Sequence, residues 1–385
     1  MLRAYFTYSV AYTATFSVAS LFHRSRPQVP TKKRHRIAIL IPVYRDDAVI
    51  LQSVDYVRQQ RYPTDHYRVF VIADTLQADT MARLRAMRAE VIEVDFNDRT
   101  KAKSVAQGLQ HIARDGNYGL TVILDADNVM DKNFLRHINR AYAAGHSAIQ
   151  GQRTAKNHDT PLAVLDGLSE ALNNVIFRKG YQALGLAVPV IGSGMAFDTK
   201  LLTSAFQRID LTSKGEDREL QLEIIRRRHN IRYLEEAVVY DEKVATDQAF
   251  GHQRKRWIAN QFLYLSKSFP TAVRQLTEGN VSYFNIAFLA PVQLPRLLNV
   301  GLLTGWTLLQ WATRQRRTYA TTLLFLYLGS LILAVPQSYY QKSTFEALLS
   351  LPKTFGTMLT SFLTAQRANE RFLHTAHSAE HKIIL

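Results

Sequence analysis

The chain has 385 residues with 48 Lys and Arg against 32 Asp and Glu, a formal net charge of +16 and no cysteine. Disulfides and thiolate metal sites are thereby excluded, while the basic excess suits phosphorylated ligands, an anionic membrane surface or nucleic acid. Hydrophobic residues make up 47% of the chain, and the length allows two average domains or one large one with appendages.

Residues 5–22 carry no charge and are followed by His23, Arg24, Arg26 and the run Lys32-Lys33-Arg34-His35-Arg36. A signal peptide has its basic residues before the apolar stretch. Here they follow it, which predicts an uncleaved anchor over 1–30 with the main domain on the cytoplasmic side; an interfacial helix is the alternative. Residues 36–44 (RIAILIPVY), 67–73 (YRVFVIA) and 120–124 (LTVIL) are short apolar runs suited to strands buried on both faces, and 90–94 adds a fourth. Helical stretches at 48–60 and 80–89 alternate with them. That alternation predicts an α/β fold with a parallel sheet and ligands beyond the carboxyl ends of its strands, where Asp74 and Asp125 stand. Residues 160–185 read as helical, 188–197 (VPVIGSGMAF) as a strand, a glycine loop and a strand restart, and 218–229 as a helix with a basic end. Beyond 260 the composition shifts. Residues 284–311 are apolar but broken by Pro291, Pro295 and Arg296, and 321–335 form a cleaner apolar run. A span needs ~20 apolar residues, and 297–311 falls short. Arg314, Arg316 and Arg317 would sit on the far side of a spanning hairpin, against the positive-inside tendency. This leaves open an interfacial 284–295 and a shallow or re-entrant hairpin.

Four polar motifs punctuate this order. Asp125-Ala126-Asp127 ends an apolar run; on an extended backbone both carboxylates face one side and suit Mg²⁺ or Mn²⁺ shared with phosphate oxygens. A polar turn is the bland alternative. Gly192-Ser193-Gly194 lacks Cβ at two positions, so a ligand can approach the backbone closely, although a purely structural turn reads identically. Gly215-Glu216-Asp217 supplies a carboxylate able to serve as general base once partly desolvated, or to cap the helix after it. In Gln253-Arg254-Lys255-Arg256-Trp257, positions i, i+3 and i+4 share a helical face. Gln253, Arg256 and Trp257 then lie together, with Arg254 and Lys255 pointing elsewhere; a basic amphipathic helix on lipid is the competing reading.

The order of these motifs over residues 36–260 resembles family 2 glycosyltransferases, in particular the membrane-bound branch with cellulose, chitin and hyaluronan synthases. The resemblance implies a glycosyltransferase-A-like nucleotide-diphospho-sugar domain over 36–265, flanked by membrane-associated helices at 1–30 and 281–340 and an amphipathic segment and tail at 341–385. It implies that Asp217 is the catalytic base, that Asp127 binds metal, and that Asp125 contacts metal and nucleotide. Asp74 would recognise a uracil ring, and Tyr44, in Pro42-Val43-Tyr44-Arg45-Asp46, would stack on it. Arg45 and Asp46 depart from the family's Asn-Glu. One of Lys101 and Lys103 resembles the diphosphate-binding lysine, the alignment favouring Lys101; a surface lysine is the alternative. Gln253 and Arg256 would hold the donor, and Trp257, Gly192 and Ser193 would lie at the acceptor. The segment 372–377 resembles a gating segment of cellulose synthases, with His377 in place of lysine. The activity implied is inverting transfer from a nucleotide sugar, UDP-linked by the resemblance, to a β-linked polysaccharide, with single transfer to a lipid acceptor as the alternative. The expected setting is the plasma (inner) membrane with the catalytic domain cytoplasmic, membrane lipids as partners, and a homo-oligomer or channel partner supplying further helices. Nucleic acid is not expected: the basic residues are dispersed and no nucleic-acid motif appears. A non-catalytic membrane scaffold would have no need of Asp127, Asp217 and Arg256 together.

Overall fold

The computed structural model describes residues 1–24, 31–244 and 246–365; the 372–377 segment lies outside them. The chain divides into two compact units. One, the sheet unit, comprises the described parts of 25–157 and 187–242; the other, the helical unit, comprises 1–24, 158–186 and 243–365. The stretch 158–186, placed within the 36–265 domain by sequence, thus groups with the terminal helices.

The sheet unit holds β1 (Ile37–Tyr44), β2 (Tyr67–Asp74), β3 (Glu90–Val94), β4 (Leu120–Ile123), β5 (Val129–Met130), β6 (Ala148–Ala155), β7 (Met195–Asp198) and β8 (Arg232–Asp241), in the order β3-β2-β1-β4-β7-β6-β8-β5. The four strands expected from sequence are present and parallel, paired β3–β2, β2–β1 and β1–β4. Ile37, Ile39 and Ile41 of β1 are fully buried with Val71 of β2 and Val122 of β4, as a strand covered on both faces requires.

The expectation of a parallel sheet is corrected beyond β4. β7 runs antiparallel to both β4 and β6, and β5 is antiparallel to β8, so the sheet is mixed. Residues 188–191 form no strand; only Met195–Asp198 does. Antiparallel β7 brings Met195 opposite Ile123, which sets the glycine loop at the carboxyl end of β4. A bulge at Gly151/Gln152 shifts the register of β6 against β8. A Cβ at Gly151 would meet the Ala237 carbonyl oxygen at 2.6 Å, so glycine is required there.

In the helical unit, Pro161–Asn173 begins with Thr160 accepting from the Ala163 N–H (3.1 Å) and Pro161 in the first turn. It continues as a π-helix, Asn174–Gly180. Gly180 touches the Leu2–Leu21 helix so closely that a Cβ would lie 2.3 Å from the Phe16 carbonyl oxygen. The 31-residue helix Asp247–Thr277 carries the Gln253–Trp257 motif. Val281–Val292 and Arg296–Ala312 are bent by 56° at Pro295, and Arg317–Leu333 follows. Phe6 and Val10 of the first helix pack with Leu303, Leu323 and Tyr327 of the last two. Among the described residues no single helix is long and apolar enough to cross a membrane; the bent pair passes by length and composition.

Candidate active site

Lys101 is the hub of the sheet unit's polar cluster. Thr100 caps the Lys101–Asp115 helix by accepting from the Lys103 N–H (3.2 Å), which places Lys101 in the first turn. A cation there opposes the helix dipole, so it needs carboxylates. The Lys101 ammonium donates to the Asp125 carboxylate and to the Gly192 carbonyl (2.8 Å), and lies 3.7 Å from Glu216 Oε1. Burial works against its charge, but Asp125 and Glu216 outweigh burial and hold the ammonium above the ordinary lysine range. Burial pushes the Glu216 carboxyl up to about 7, with Lys101 acting in the opposite sense. Lys103 turns instead to the Asp98 carbonyl (2.7 Å), which separates the two lysines that the sequence left close.

The helix bearing Asp217 is Glu216–Arg226, two residues earlier than expected, and its N-cap is Gly215. Asp217 is therefore no cap; it lies in the first turn, its Oδ1 accepting from the Arg218 N–H (2.7 Å). Gly192 adopts φ +82, and a Cβ there would stand 3.4 Å from Lys101 Nζ and 3.7 Å from Asp217 Oδ2. Lys101 and Asp217 thus meet at Gly192, and Asp125 and Glu216 gather around the same Lys101 ammonium.

Asp125-Ala126-Asp127 is not the extended segment that alternation implied. β4 ends at Ile123 and the chain turns, the Asn128 N–H donating to the Asp125 carbonyl (3.1 Å). Asp125 faces Lys101, whereas Asp127 Oδ1 accepts from Asn128 Nδ2 (3.0 Å), which also reaches Asp241 Oδ1 (3.0 Å). Ser193 is corrected too. Its buried hydroxyl donates to Asn128 Oδ1 (2.6 Å) and accepts from the Asp125 N–H (2.9 Å). It fastens the glycine loop to the aspartate turn and is not presented to an acceptor. Among the described residues no three His, Asp or Glu gather as a metal cluster. Asp125 and the Gly192 carbonyl, both oxygen donors, already hold a cation in Lys101, while Asp127 faces Asn128. Their chemistry is that of ligands for a hard divalent ion, which takes one or two carboxylates and completes its shell with phosphate and water.

At the ends of β1 and β2, Arg45 (φ 56) and Thr75 (φ 59) adopt left-handed backbone, and the Arg45 N–H donates to the Asp74 carbonyl (3.2 Å). The buried Asp74 carboxylate accepts from Arg99 Nε (3.1 Å) and the Thr75 hydroxyl (2.8 Å). The guanidiniums of Arg45 and Arg99 lie over the Tyr44 ring, 5.0 and 5.4 Å from its centroid. Arg99 went unnoticed in the sequence, where only its place two residues before Lys101 marked it. Glu216 stood in view as the first half of Glu-Asp, but its burial did not.

Gln253, Arg256 and Trp257 lie on Asp247–Thr277, in the helical unit. Arg256 and Trp257 are exposed, and Gln253 Oε1 is buried without a partner. Arg254 does not point away from the tryptophan. Its guanidinium pairs with Asp166 and covers the indole at 4.3 Å and Phe250 at 4.7 Å. Residues 250, 254 and 257 fall three and four apart, which puts them on one face.

Mannosyltransferase PcManGT from Pyrobaculum calidifontis, solved with GDP-Man and Mn²⁺, is 18% identical over 95% of this chain and 98% of its own, with a TM-score of 0.52. That shows a shared fold. S. aureus TarS 1-349 (15% identity, 86% and 90% of the two chains, TM-score 0.42) and Mycobacterium tuberculosis glucosyl-3-phosphoglycerate synthase with Mn²⁺, UDP and glucosyl-3-phosphoglycerate (17%, 58% and 78%, 0.38) are more distant. No curated protein matches the chain. The family described as Glycosyltransferase like family 2 matches residues 35–260, more than half the chain, and the protein belongs to that family.

Proposed function

We propose that this chain transfers a sugar, with inversion, from a nucleotide diphosphate to an acceptor hydroxyl at a membrane, extending a β-linked polysaccharide. The observation that carries the reading is a cluster centred on Lys101, which holds Asp125, Glu216 and the Gly192 carbonyl, with Asp217 beside Gly192. Asp125 and Asp127 would hold Mg²⁺ or Mn²⁺, which neutralises diphosphate charge when bound. Lys101 is placed to pass from Asp125 to the diphosphate as it enters. Asp217 takes the acceptor's proton while the hydroxyl attacks the anomeric carbon opposite the leaving diphosphate. Glu216, ionised or neutral near pH 7, sets how firmly Lys101 is held. Tyr44 offers a ring for the base, and the Asp74–Arg99 pair offers an acceptor and a donor to its edge. UDP is the donor nucleotide implied by the synthase-like motifs; GDP is the alternative, since PcManGT was solved with GDP-Man. Arg256 is assigned to the donor diphosphate and Trp257 to the acceptor sugar. Gly192 remains beside the acceptor through its backbone alone.

A second acceptor reading, one sugar passed to a lipid, is favoured by a specific observation. Among the described residues every exposed large hydrophobic side chain lies in the helical unit. The test is a panel of UDP- and GDP-sugars offered to membranes containing the full chain, reading nucleotide release and then product size. A long product supports polymer synthesis, and a single sugar on lipid supports the second reading. No release from any donor refutes both.

A further inference from the structure

The Leu2–Leu21, Arg296–Ala312 and Arg317–Leu333 helices form a bundle around Phe6, Val10, Leu303, Leu323 and Tyr327. At one end stand the exposed Arg3, Arg314, Arg316 and Arg317. Arg3 lies over the Tyr319 ring (5.3 Å), Arg317 over Trp311 (5.4 Å), and the Thr7 hydroxyl bonds that of Tyr319, so residues distant in sequence share this end. The sequence has no Asp or Glu in 1–45 or 279–345. These four cations therefore have no acidic neighbour on their own helices, and no ion pair involves them among the described residues. Leu308, Leu309, Trp311, Phe325 and Leu326, on the same two helices, are 52–69% exposed.

We infer that this bundle end is a docking surface for an anionic phospholipid leaflet, with the arginines on lipid phosphates and the flanking apolar side chains among the acyl chains. The inference rests on the membrane setting of the proposed function and names its partner. Charge complementarity selects an anionic occupant, since arginine is suited to paired bonds with phosphate. The apolar neighbours select lipid over nucleic acid, because only a lipid surface presents phosphate directly above hydrocarbon. Helices of 17 residues reach only ~25 Å, short of a ~30 Å hydrocarbon core. The arginines that contradict a simple spanning hairpin thus acquire a role.

The test is flotation of the full chain with vesicles of phosphatidylcholine alone or with about one third phosphatidylglycerol, at low and high salt. One variant replaces Arg3, Arg314, Arg316 and Arg317 with Gln; a charge-matched control replaces the exposed Arg83, Arg114, Arg136 and Lys200 of the sheet unit. Each basic residue at an anionic surface changes partitioning roughly fivefold. The bundle variant should therefore lose at least about tenfold on anionic vesicles, and the control should follow wild type. Circular dichroism monitors the fold of both. Equal flotation of the bundle variant and wild type, an equal loss in the control, or wild-type flotation indifferent to phosphatidylglycerol and salt would overturn the inference. The last needs no variant, so it decides even if the bundle variant misfolds. Nucleotide-sugar binding in detergent, measured in parallel, reports on the transferase reading separately: its absence from wild type counts against that reading and leaves the vesicle result standing.

Discussion

Glu216 and Asp217 are adjacent, yet their surroundings assign them different work. The Glu216 carboxyl, raised by burial to about 7 from an ordinary 4.5, favours the folded state most when protonated. Its contribution is complete below about pH 4.5 and is lost as the pH rises through about 7. Glu216→Gln should therefore match wild type in thermal denaturation at pH 4 and melt above it at pH 8. A variant that melts below wild type at pH 8 would mean that the ion pair with Lys101 outweighs the cost of burial. Asp217→Asn should leave nucleotide-sugar binding by calorimetry nearly unchanged and lower turnover by ~10²- to 10⁴-fold, the usual range for a lost general base. Gly194, at φ +61 with a Cβ clash of 2.8 Å against Val239 Cγ2, should not tolerate Ala; the cost is about 1–3 kcal/mol in chemical denaturation. These residues were legible as motifs because Gly, Asp and Glu are locally conspicuous. Burial, pairing and the use of the Ser193 hydroxyl were not, since each depends on chain brought in from far along the sequence. Asp125 meets Lys101 across 24 residues and the Ser193 hydroxyl reaches Asn128 across 65.

Among the elements, β1, β2 and β4 were readable because strands buried on both faces are largely apolar, whereas β3, an edge strand with Glu90 and Glu93, is only partly buried. β6 and β8 were not readable, because Gln150, Gln152 and Arg153 in one and Glu235 and Glu236 in the other break the apolar run. Gln150 is fully buried, its Nε2 bonded to the Ser193 carbonyl (3.0 Å); a polar residue with a tertiary partner is invisible to periodicity. The Asp247–Thr277 helix carries a similar lesson. Helical geometry alone puts Arg254 off the face shared by Gln253, Arg256 and Trp257, but Asp166 draws it over the indole. Asp166→Ala would leave a largely buried guanidinium unpaired and should cost about 3 kcal/mol by urea denaturation. Adding Arg254→Met should restore much of that. Equal losses in the single and double variants would show that the pair does not hold the helix. On the same element, Trp257→Ala should weaken acceptor use more than donor binding and Arg256→Ala the reverse, read as separate KM values. If both shift the same constant, the division of roles is wrong.

For the whole molecule, the exposed large apolar side chains among the described residues and the Lys101 cluster fall in different units. The net charge of +16 pointed to phosphate in some form without choosing among nucleic acid, membrane and nucleotide. The two proposals draw on local composition: carboxylates gathered around Lys101 in one unit, and in the other Arg3, Arg314, Arg316 and Arg317 with no acidic residue on their own helices. The central claim is that the Asp125–Asp127 turn and Lys101 form the donor site of a glycosyltransferase. Its most direct test is Mn²⁺-dependent binding and turnover of UDP- and GDP-sugars by wild type and Asp127→Asn in one preparation. Metal-dependent donor binding and nucleotide release by wild type, both abolished in the variant, are the predicted result. Transfer that persists undiminished in excess chelator, or in Asp127→Asn, would contradict it.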